Sequence, residues 1–559
     1  MSAPAIKKGH PKALYILFFT EMWERFGYYL MVGIFLLYLI DPSGNGGKGL
    51  DNANAADIVG SFIALVYLTP FIGGLIADRY LGYRKSILIG GALMALGYLG
   101  LSFPGDTAMY LSLLCIIIGN GFFKPNISTL LGNIYSADEL KPQKDAAYGI
   151  FYMGINIGAF FCNFVAAYLR NYYGWGYAFA AAGVGMVIAL IIFAINYKDE
   201  KIVGGDVKKP LQKEDMPISK ILASVFLPAI LAGILGWNIS SIIGSTIFGT
   251  KSNDAFMFAC VPIIIFYAGL LIRASKEDKR GLGALLAFFA VSIVFWVIYN
   301  QNSTALTIWA QTYTDRNMPE SGVAWTKPFG MLQTVTSDTV DITKVDKYFA
   351  AVLDENGNTI QTKGVDPYLQ NLPKEEWPAP GEEKKLISPE LYQSVNPFFI
   401  VLFTPLIAVW FFGWLRRRNK EPSTPSKIGI GMVLAGLSSL MMIAAVMSTN
   451  IYEDKSHMLW LICTYAIFTM GELLISPIGL SMVSKLSPPR LTALMMGAWF
   501  LINSIAGKIS GLMATFWDEF PDKKDYFLIL FVAAMIAAVI LFSMVKWLRS
   551  VVREKTGTD

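Results

Sequence analysis

Histidine is almost absent from this 559-residue chain, which has only His10 and His457. Both fall in polar flanks beside apolar runs, so a histidine relay deep in a membrane is excluded and any proton chemistry must use carboxylates. Cysteine is scarce too. Cys115, Cys162, Cys260 and Cys463 stand singly in or beside apolar runs, without metal-ligand spacing or a disulfide framework, and read as small core residues. Charged residues make up 16% of the chain, against roughly 25% in soluble domains. The net charge of +5 comes from basic residues spread over short loops, which gives no nucleic-acid signal. The opening MSAPAIKKGHPK is basic, but the apolar run behind it is long and carries charges, unlike a cleavable signal peptide. The sequence shows no metal-ligand set, nucleophile–base pair or phosphate loop, so an enzyme is not expected and no cofactor is called for.

What the chain has instead is apolar length. It is 54% apolar, with a mean hydropathy of +0.48. Run length predicts helices over about 13–40, 56–77, 85–103, 107–131, 145–170 and 177–197. Two more follow over about 218–243 and 254–273, then six over about 281–313, 393–415, 426–448, 457–484, 490–515 and 525–549. About fourteen spans, an even number, put both termini on one side. Basic residues cluster in alternate loops: Arg79, Arg84 and Lys85; Lys141 and Lys144; Lys198, Lys201, Lys208, Lys209 and Lys213; Arg273, Lys276, Lys279 and Arg280; Arg416, Arg417, Arg418 and Lys420. The positive-inside rule makes these loops, and both termini, cytoplasmic. The expected class is an all-α polytopic membrane protein set in a lipid bilayer. It has a six-helix bundle over 1–197, a linker and two-helix insert over 198–280, and a second six-helix bundle over 281–559. GGLIADRYLGYRKSILIG and GWLRRRNKEPSTPSKIGIG, at matching places in the halves, give a weak internal echo.

Residues 314–392 break the pattern of short connections. The segment is polar and contains TVTSDTVDITKV and FAAVLDENGNTIQT. Alternating β-branched residues and the DENGN turn predict a small hairpin. The topology puts it outside, in the periplasm of a Gram-negative cell, and the sequence gives it no role.

A few ionisable groups sit inside the apolar runs, where they mark function by default. Glu21 and Arg25, in TEMWERFGYYL, are four residues apart on a helix, with Glu24 on nearly the same face. Lys124, in CIIIGNGFFKPNISTLLG, is placed to pair with Glu21 or Glu24, to meet a substrate carboxylate, or to snorkel to the surface. Pro125 after it is expected to kink or loosen the helix. Asn156, in GIFYMGINIGAFF, fits interhelical glue and substrate contact equally. Glu472, in IFTMGELLISPIGLSMV, has no ionic partner at i±3 or i±4, and suits proton exchange or a substrate ammonium. Lys508, in NSIAGKISGLM, either pairs across the bundle or snorkels. Tyr28, Tyr29, Tyr67 and Tyr152 offer rings for pockets and hydroxyls for carboxylates. Cations thus fall in the first half and an isolated carboxylate in the second. A zwitterion with separated termini would bridge them if these spans face one cavity.

These residues, in order, resemble the proton-dependent oligopeptide transporter family of the major facilitator superfamily. The ExxER motif appears at Glu21 to Arg25, followed by Phe26, Gly27, Tyr28 and Tyr29. The signature between spans two and three runs from Gly73 to Lys85, and FYxxINxG from Phe151 to Gly158. FFKPNIS around Lys124, NPFFI at Asn396, GELLISP at Glu472 and WFL at Trp499 complete the set, and the likeness covers the chain apart from 314–392. The resemblance implies the major facilitator fold and inward symport of di- and tripeptides with protons, driven by the proton gradient with no cofactor, a monomer sufficing. It implies that Arg25 and Lys124 hold the peptide carboxylate, and that Asn156, Asn396 and Glu472 hold the amino end. Tyr28, Tyr29, Tyr67, Ser476 and Trp499 would shape side-chain pockets. Glu21, Glu24 and Arg25 would couple protonation to the Lys124 contact, with Glu472 as a further proton site. Two positions depart from the family pattern. In FWVIYNQNSTAL the substrate-facing position that is often acidic is Asn300, which does not titrate, and Val32 stands where many members carry a base. A symporter of another small solute, such as a modified peptide, nitrate or another anion, is the alternative. A non-transporting receptor using residues 314–392 is a third.

Overall fold

A computed structural model describes residues 9–208, 216–488 and 491–556. Lys209 and Lys213, two of the basic residues after the sixth span, lie outside them. Helices of membrane-spanning length dominate. The first six are α1 (Lys12–Ile40), α2 (Asn52–Ile76), α3 (Tyr83–Gly100), α4 (Asp106–Ile134), α5 (Lys144–Tyr173) and α6 (Trp175–Ile195). Next come α7 (Ile218–Ile243), α8 (Lys251–Arg273), α9 (Lys276–Thr312) and α10 (Pro389–Arg417). The last four are α11 (Thr424–Met447), α12 (Met458–Leu486), α13 (Thr492–Thr515) and α14 (Lys523–Thr556). By length and composition twelve of these are apolar enough to cross a membrane, α3 and α13 being the other two.

The turns follow from local chemistry. Asp51 caps α2 by accepting from the Asn54 backbone N–H at 2.9 Å, and Thr250 caps α8 by accepting from that of Asn253 at 3.1 Å. Gly82 joins α2 to α3 at φ +80°, a conformation that disfavours any side chain. Asp206 then accepts from the Tyr83 backbone at 2.6 Å and from Arg84 Nε at 2.9 Å. The signature at Gly73–Lys85 is therefore a braced turn. The helix α4 continues through Pro125 to Ile134, where a kink or loosening was expected. The Gly121 carbonyl, to which proline cannot donate, lies against Gly73 of α2, where a Cβ would come within 2.0 Å.

The helices α1 to α6 pack on one another, notably α3 on α4 and α1 on α5 and α6. In the second half α11 packs on α12 and α14, α9 on α13, and α10 on α12. The pair α7 and α8 pack on each other and leave most of their surface outside. Long seams join the halves, α2 with α13 and α5 with α10. Small residues permit the first: a Cβ on Gly60 would lie 2.7 Å from the Gly511 Cα. Residues 314–392 fold between α9 and α10. Leu332–Val335 pairs antiparallel with Lys384–Ile387, and Val340–Thr343 with Gln361–Gly364. A small core of Val335, Tyr368, Leu369, Leu372 and Leu386 lies beneath them.

Lys508 does not snorkel. It is 1% exposed, and its Nζ donates to Asp57 Oδ1 at 2.5 Å, Ser61 Oγ at 2.7 Å and Ser252 Oγ at 2.8 Å, tying α13 to α2 and α8. Lys508→Ala strands a carboxylate beside apolar helices and is expected to cost about 3–5 kcal/mol of stability, with Asp57→Ala added on top recovering much of it. A double-mutant cycle on thermal or denaturant unfolding in detergent checks this. Additive losses would mean the pair is not coupled.

Candidate functional site

The ExxER residues form one ionic cluster on α1. Arg25 Nη2 donates to Glu24 Oε1 at 2.5 Å, and Arg25 Nε also donates to Glu24 Oε2. Glu21 Oε1 lies 3.3 Å from Arg25 Nε, the helical spacing read from sequence. Glu24 is fully buried and two-pronged on Arg25, whereas Glu21 Oε2 has no hydrogen-bond partner. The Arg25 guanidinium lies 5.0 Å over the Tyr28 ring. The Lys124 Nζ, on α4, stands 4.1 Å over the Tyr67 ring. Among the described residues no carboxylate oxygen comes within 4.0 Å of it, so the pairing with Glu21 or Glu24 weighed from sequence is not formed.

Across the bundle, Asn396 of α10 donates through Nδ2 to Glu472 Oε2 at 2.8 Å and to Thr469 Oγ1 at 2.9 Å. Glu472 of α12 is buried, and among the described residues no cation pairs with it.

Both groups border one cavity, lined by Glu21, Arg25, Tyr29, Lys124, Asn156, Asn396 and Glu472 among others. The condition on the zwitterion reading, that these spans face one space, is met. The Asn156 Nδ2 donates to Tyr152 O of its own helix at 2.9 Å, and among the described residues it bonds to no other helix. The close α1–α5 approach falls to its neighbour Gly158, where a Cβ would lie 2.3 Å from Met22 O.

Other sequence candidates stand off the lining. Glu24 lies behind Arg25, Tyr28 is buried in the bundle, and Tyr67 lies against the Lys124 ammonium. Trp499 stacks on Phe288 with centroids 5.8 Å apart, its ring over Gly479. The Ser476 hydroxyl is buried without a hydrogen-bond partner. Asn300 donates to Trp296 O at 2.8 Å and does not line the cavity, a correction to its sequence placement. Tyr299, its neighbour on the same helix, and Asn302, in the turn Gln301–Ser303 that follows, are on the wall instead. Asn302 was visible in the Asn-Gln-Asn run. Asn163 and Gln393, also on the wall, gave no motif signal.

The cavity is shut at the end carrying residues 314–392. Gln393 Nε2 donates to Gly33 O at 3.2 Å and to Thr307 Oγ1 at 3.0 Å, and Asn163 Nδ2 donates to Ser394 Oγ at 3.0 Å. Arg170 of α5 and the buried Glu390 lie 3.0 Å apart across the same seam. Asn52 Nδ2 donates to both oxygens of Asp518, at 3.0 and 3.1 Å. Asp518 lies beyond the end of α13, and burial pushes its carboxyl up to about 6 despite those bonds.

Comparison with known proteins follows the same lines. The profile described as the POT family matches residues 84–335 and 383–530. An uncharacterized transporter of Bacillus subtilis, YclF, is 30% identical over 540 residues, 95% of this chain and 93% of its own. A di-/tripeptide transporter of Lactococcus lactis subsp. cremoris is 28% identical over 544 residues, 96% of each chain. The crystal structure of a peptide transporter POT in complex with sulfate superposes with TM-score 0.72 at 29% identity, covering 97% of this chain and 96% of the other. A POT family transporter in complex with 5-aminolevulinic acid gives TM-score 0.73 at 26% identity, covering 97% of each. These relatives are transporters, not enzymes, and they share this membrane fold over nearly their whole length. With the profile matching well over half of its residues, this chain belongs to the POT family.

Proposed function

We propose that this protein is a proton-coupled symporter importing di- and tripeptides across the inner (plasma) membrane by alternating access. The observation that carries the reading is the polarity of the one cavity: Arg25 and Lys124 on the wall from α1 and α4, Glu472 and Asn396 on the wall from α10 and α12. A peptide carboxylate matches the first and its ammonium the second. Asn156 and Tyr29 lie between them as polar contacts, and Tyr28, Tyr67, Ser476 and Trp499 support the pockets from behind. The working units are the helices of 1–197 and 281–559, with 198–280 as an insert and residues 314–392 outside the cell. Both termini are then cytoplasmic, and a cavity shut at the loop end is the inward-facing state.

A second reading is symport of another small solute, such as a modified peptide, nitrate or another anion. Asn300 in place of a titratable group supports it, as does the relative solved with 5-aminolevulinic acid. Proteoliposome uptake of labelled dialanine, with and without an inward proton gradient, tests the first reading. Accumulation only with the gradient is the expected result. No dialanine uptake, with uptake of another solute from a panel including nitrate and dicarboxylates, would favour the second.

The seam outside the membrane adds a pH dependence. The Asp518 carboxyl rises from 3.8 in water to about 6 in the shut seam. Lys523, Asp51 and Asp346 are the charges that act on it. A carboxyl raised in this way binds its proton more tightly in the shut seam than when solvated. Stability of the shut form therefore falls as pH rises from about 4 to about 6, and is level above that. The Asp518→Asn variant is expected to flatten this slope while keeping the Asn52 contact. Melting curves across that pH range check it, and an unchanged slope would assign the dependence elsewhere.

A further inference from the structure

The short helix Glu320–Thr326 and the turn after it carry two of the barest aromatic side chains of the protein, Trp325 at 79% and Phe329 at 64% exposed. Trp325 lies in the helix and Phe329 ends the turn Lys327–Phe329, with Ala324, Lys327 and Pro328 also exposed beside them. Together they make an exposed, largely apolar patch.

The next residue fixes where this face lies. Gly330 packs against α5 so closely that a Cβ on it would lie 2.3 Å from the Tyr168 ring and 2.8 Å from the Tyr168 Cα. Asn171 Nδ2 holds the following strand by donating to Leu332 O at 3.2 Å. Tyr168 precedes the end of α5, at Tyr173, by five residues, or about 7.5 Å of helix rise. The turn is therefore held below the top of a spanning helix. It is also held on the lipid-facing side, because Phe161, Tyr168 and Tyr172 form an exposed stripe along α5 at helical spacing. Tyr168, Tyr172, Tyr173 and Tyr177 gather there, with centroids of 5.0 to 6.2 Å between neighbouring rings. Tyrosine and tryptophan concentrate at this depth, where one end of the ring is wet and the other apolar.

We propose that residues 320–330 form an interfacial foot, seating Trp325 and Phe329 in the headgroup–acyl boundary of the bilayer beside α5. The partner is the lipid surface itself, joined through apolar area and without a specific headgroup. The foot lies at one edge of the folded 314–392 segment. At another edge, Asn371 Nδ2 donates to Thr312 O at 3.1 Å and to Ile451 O at 3.0 Å. The segment is thus held by protein on one side and by the membrane on another.

The test uses the full chain in lipid vesicles. Trp325→Cys and Phe329→Cys are made separately with the four native cysteines replaced by alanine, and labelled with an environment-sensitive fluorophore. Glu355→Cys, in the exposed DENGN turn, is the aqueous control. At both test positions emission is expected to shift to the blue. Nitroxide lipids labelled near the headgroup should quench there several-fold more than at the control, and more than lipids labelled deep in the chain. Quenching equal to the control at both positions would overturn the proposal. So would cross-linking of Trp325→Cys between two chains without lipid quenching, which would assign the face to a second copy. Should the cysteine-free chain fold poorly, Trp325→Phe in the natural sequence reads the same thing. Loss of part of the tryptophan quenching by brominated lipids supports the foot, and unchanged quenching overturns it.

Discussion

Glutamine in place of Glu472 is expected to weaken dialanine binding by about 10- to 100-fold while leaving the fold intact. The substitution keeps the size of the side chain and an oxygen for the Asn396 amide, which donates to Glu472 Oε2 at 2.8 Å. What it removes is the charge. Among the described residues no protein cation pairs with Glu472, so on the proposed reading a substrate ammonium is its counter-charge. A hydrogen bond to a charged group is worth about 1.5–3 kcal/mol, and each 1.4 kcal/mol is a factor of ten in affinity. The specific control is N-acetyl-dialanine, which has no ammonium and should lose little. Calorimetric titration of both ligands into wild type and Glu472→Gln separates the cases. Equal loss for both would mean that Glu472 shapes the cavity and does not read the amino end.

How much of this was legible in the sequence depended on distance along the chain. The Glu21–Arg25 contact could be read because one helix turn fixes it. The Lys508–Asp57 contact could not, since 451 residues separate the partners and only the α2–α13 packing brings them together. Run length recovered the helices because the bilayer imposes a single length on all of them. Asn300 was misplaced because adjacent helical residues point in different directions, and composition does not mark that Tyr299 and not Asn300 faces the cavity. The glycines of FYxxINxG are packing residues, shaped by the approach of α1, as the small-residue setting of Asn156 allowed.

Residues 314–392 divide in the same way. The DENGN turn is as expected: Asp354 Oδ1 accepts from the Asn356 and Asn358 backbones at 2.8 and 2.9 Å. The pairing of Leu332–Val335 with Lys384–Ile387 joins strands about fifty residues apart, and no local turn signal specifies it.

Replacing Glu21 by glutamine is expected to abolish gradient-driven accumulation of dialanine while sparing exchange of peptide across a vesicle. Glu21, Glu24, Arg25 and Lys124 together sum to zero when all are charged. Glu24 is fully buried and held to Arg25 by a two-pronged bond. Glu21 is different: it lines the cavity, touches Arg25 through one oxygen at 3.3 Å and leaves the other unpartnered. A proton on Glu21 leaves one uncompensated positive charge on that wall, which one substrate carboxylate then neutralises. On the proposed symport, proton and peptide would then favour the same loaded state, which is the content of coupling. Glu21→Gln holds the wall in its protonated charge state whatever the pH, so peptide still binds and exchanges but no proton drives it uphill. Glu24→Gln leaves the same net charge on the wall but loosens Arg25 from its two-pronged bond, so exchange as well as accumulation is expected to fall. Uptake under a gradient and counterflow without one, measured on the same vesicles, distinguish the two variants. Normal accumulation by Glu21→Gln would remove Glu21 from the proton path and leave Glu472 as the carboxylate of the cavity able to carry it.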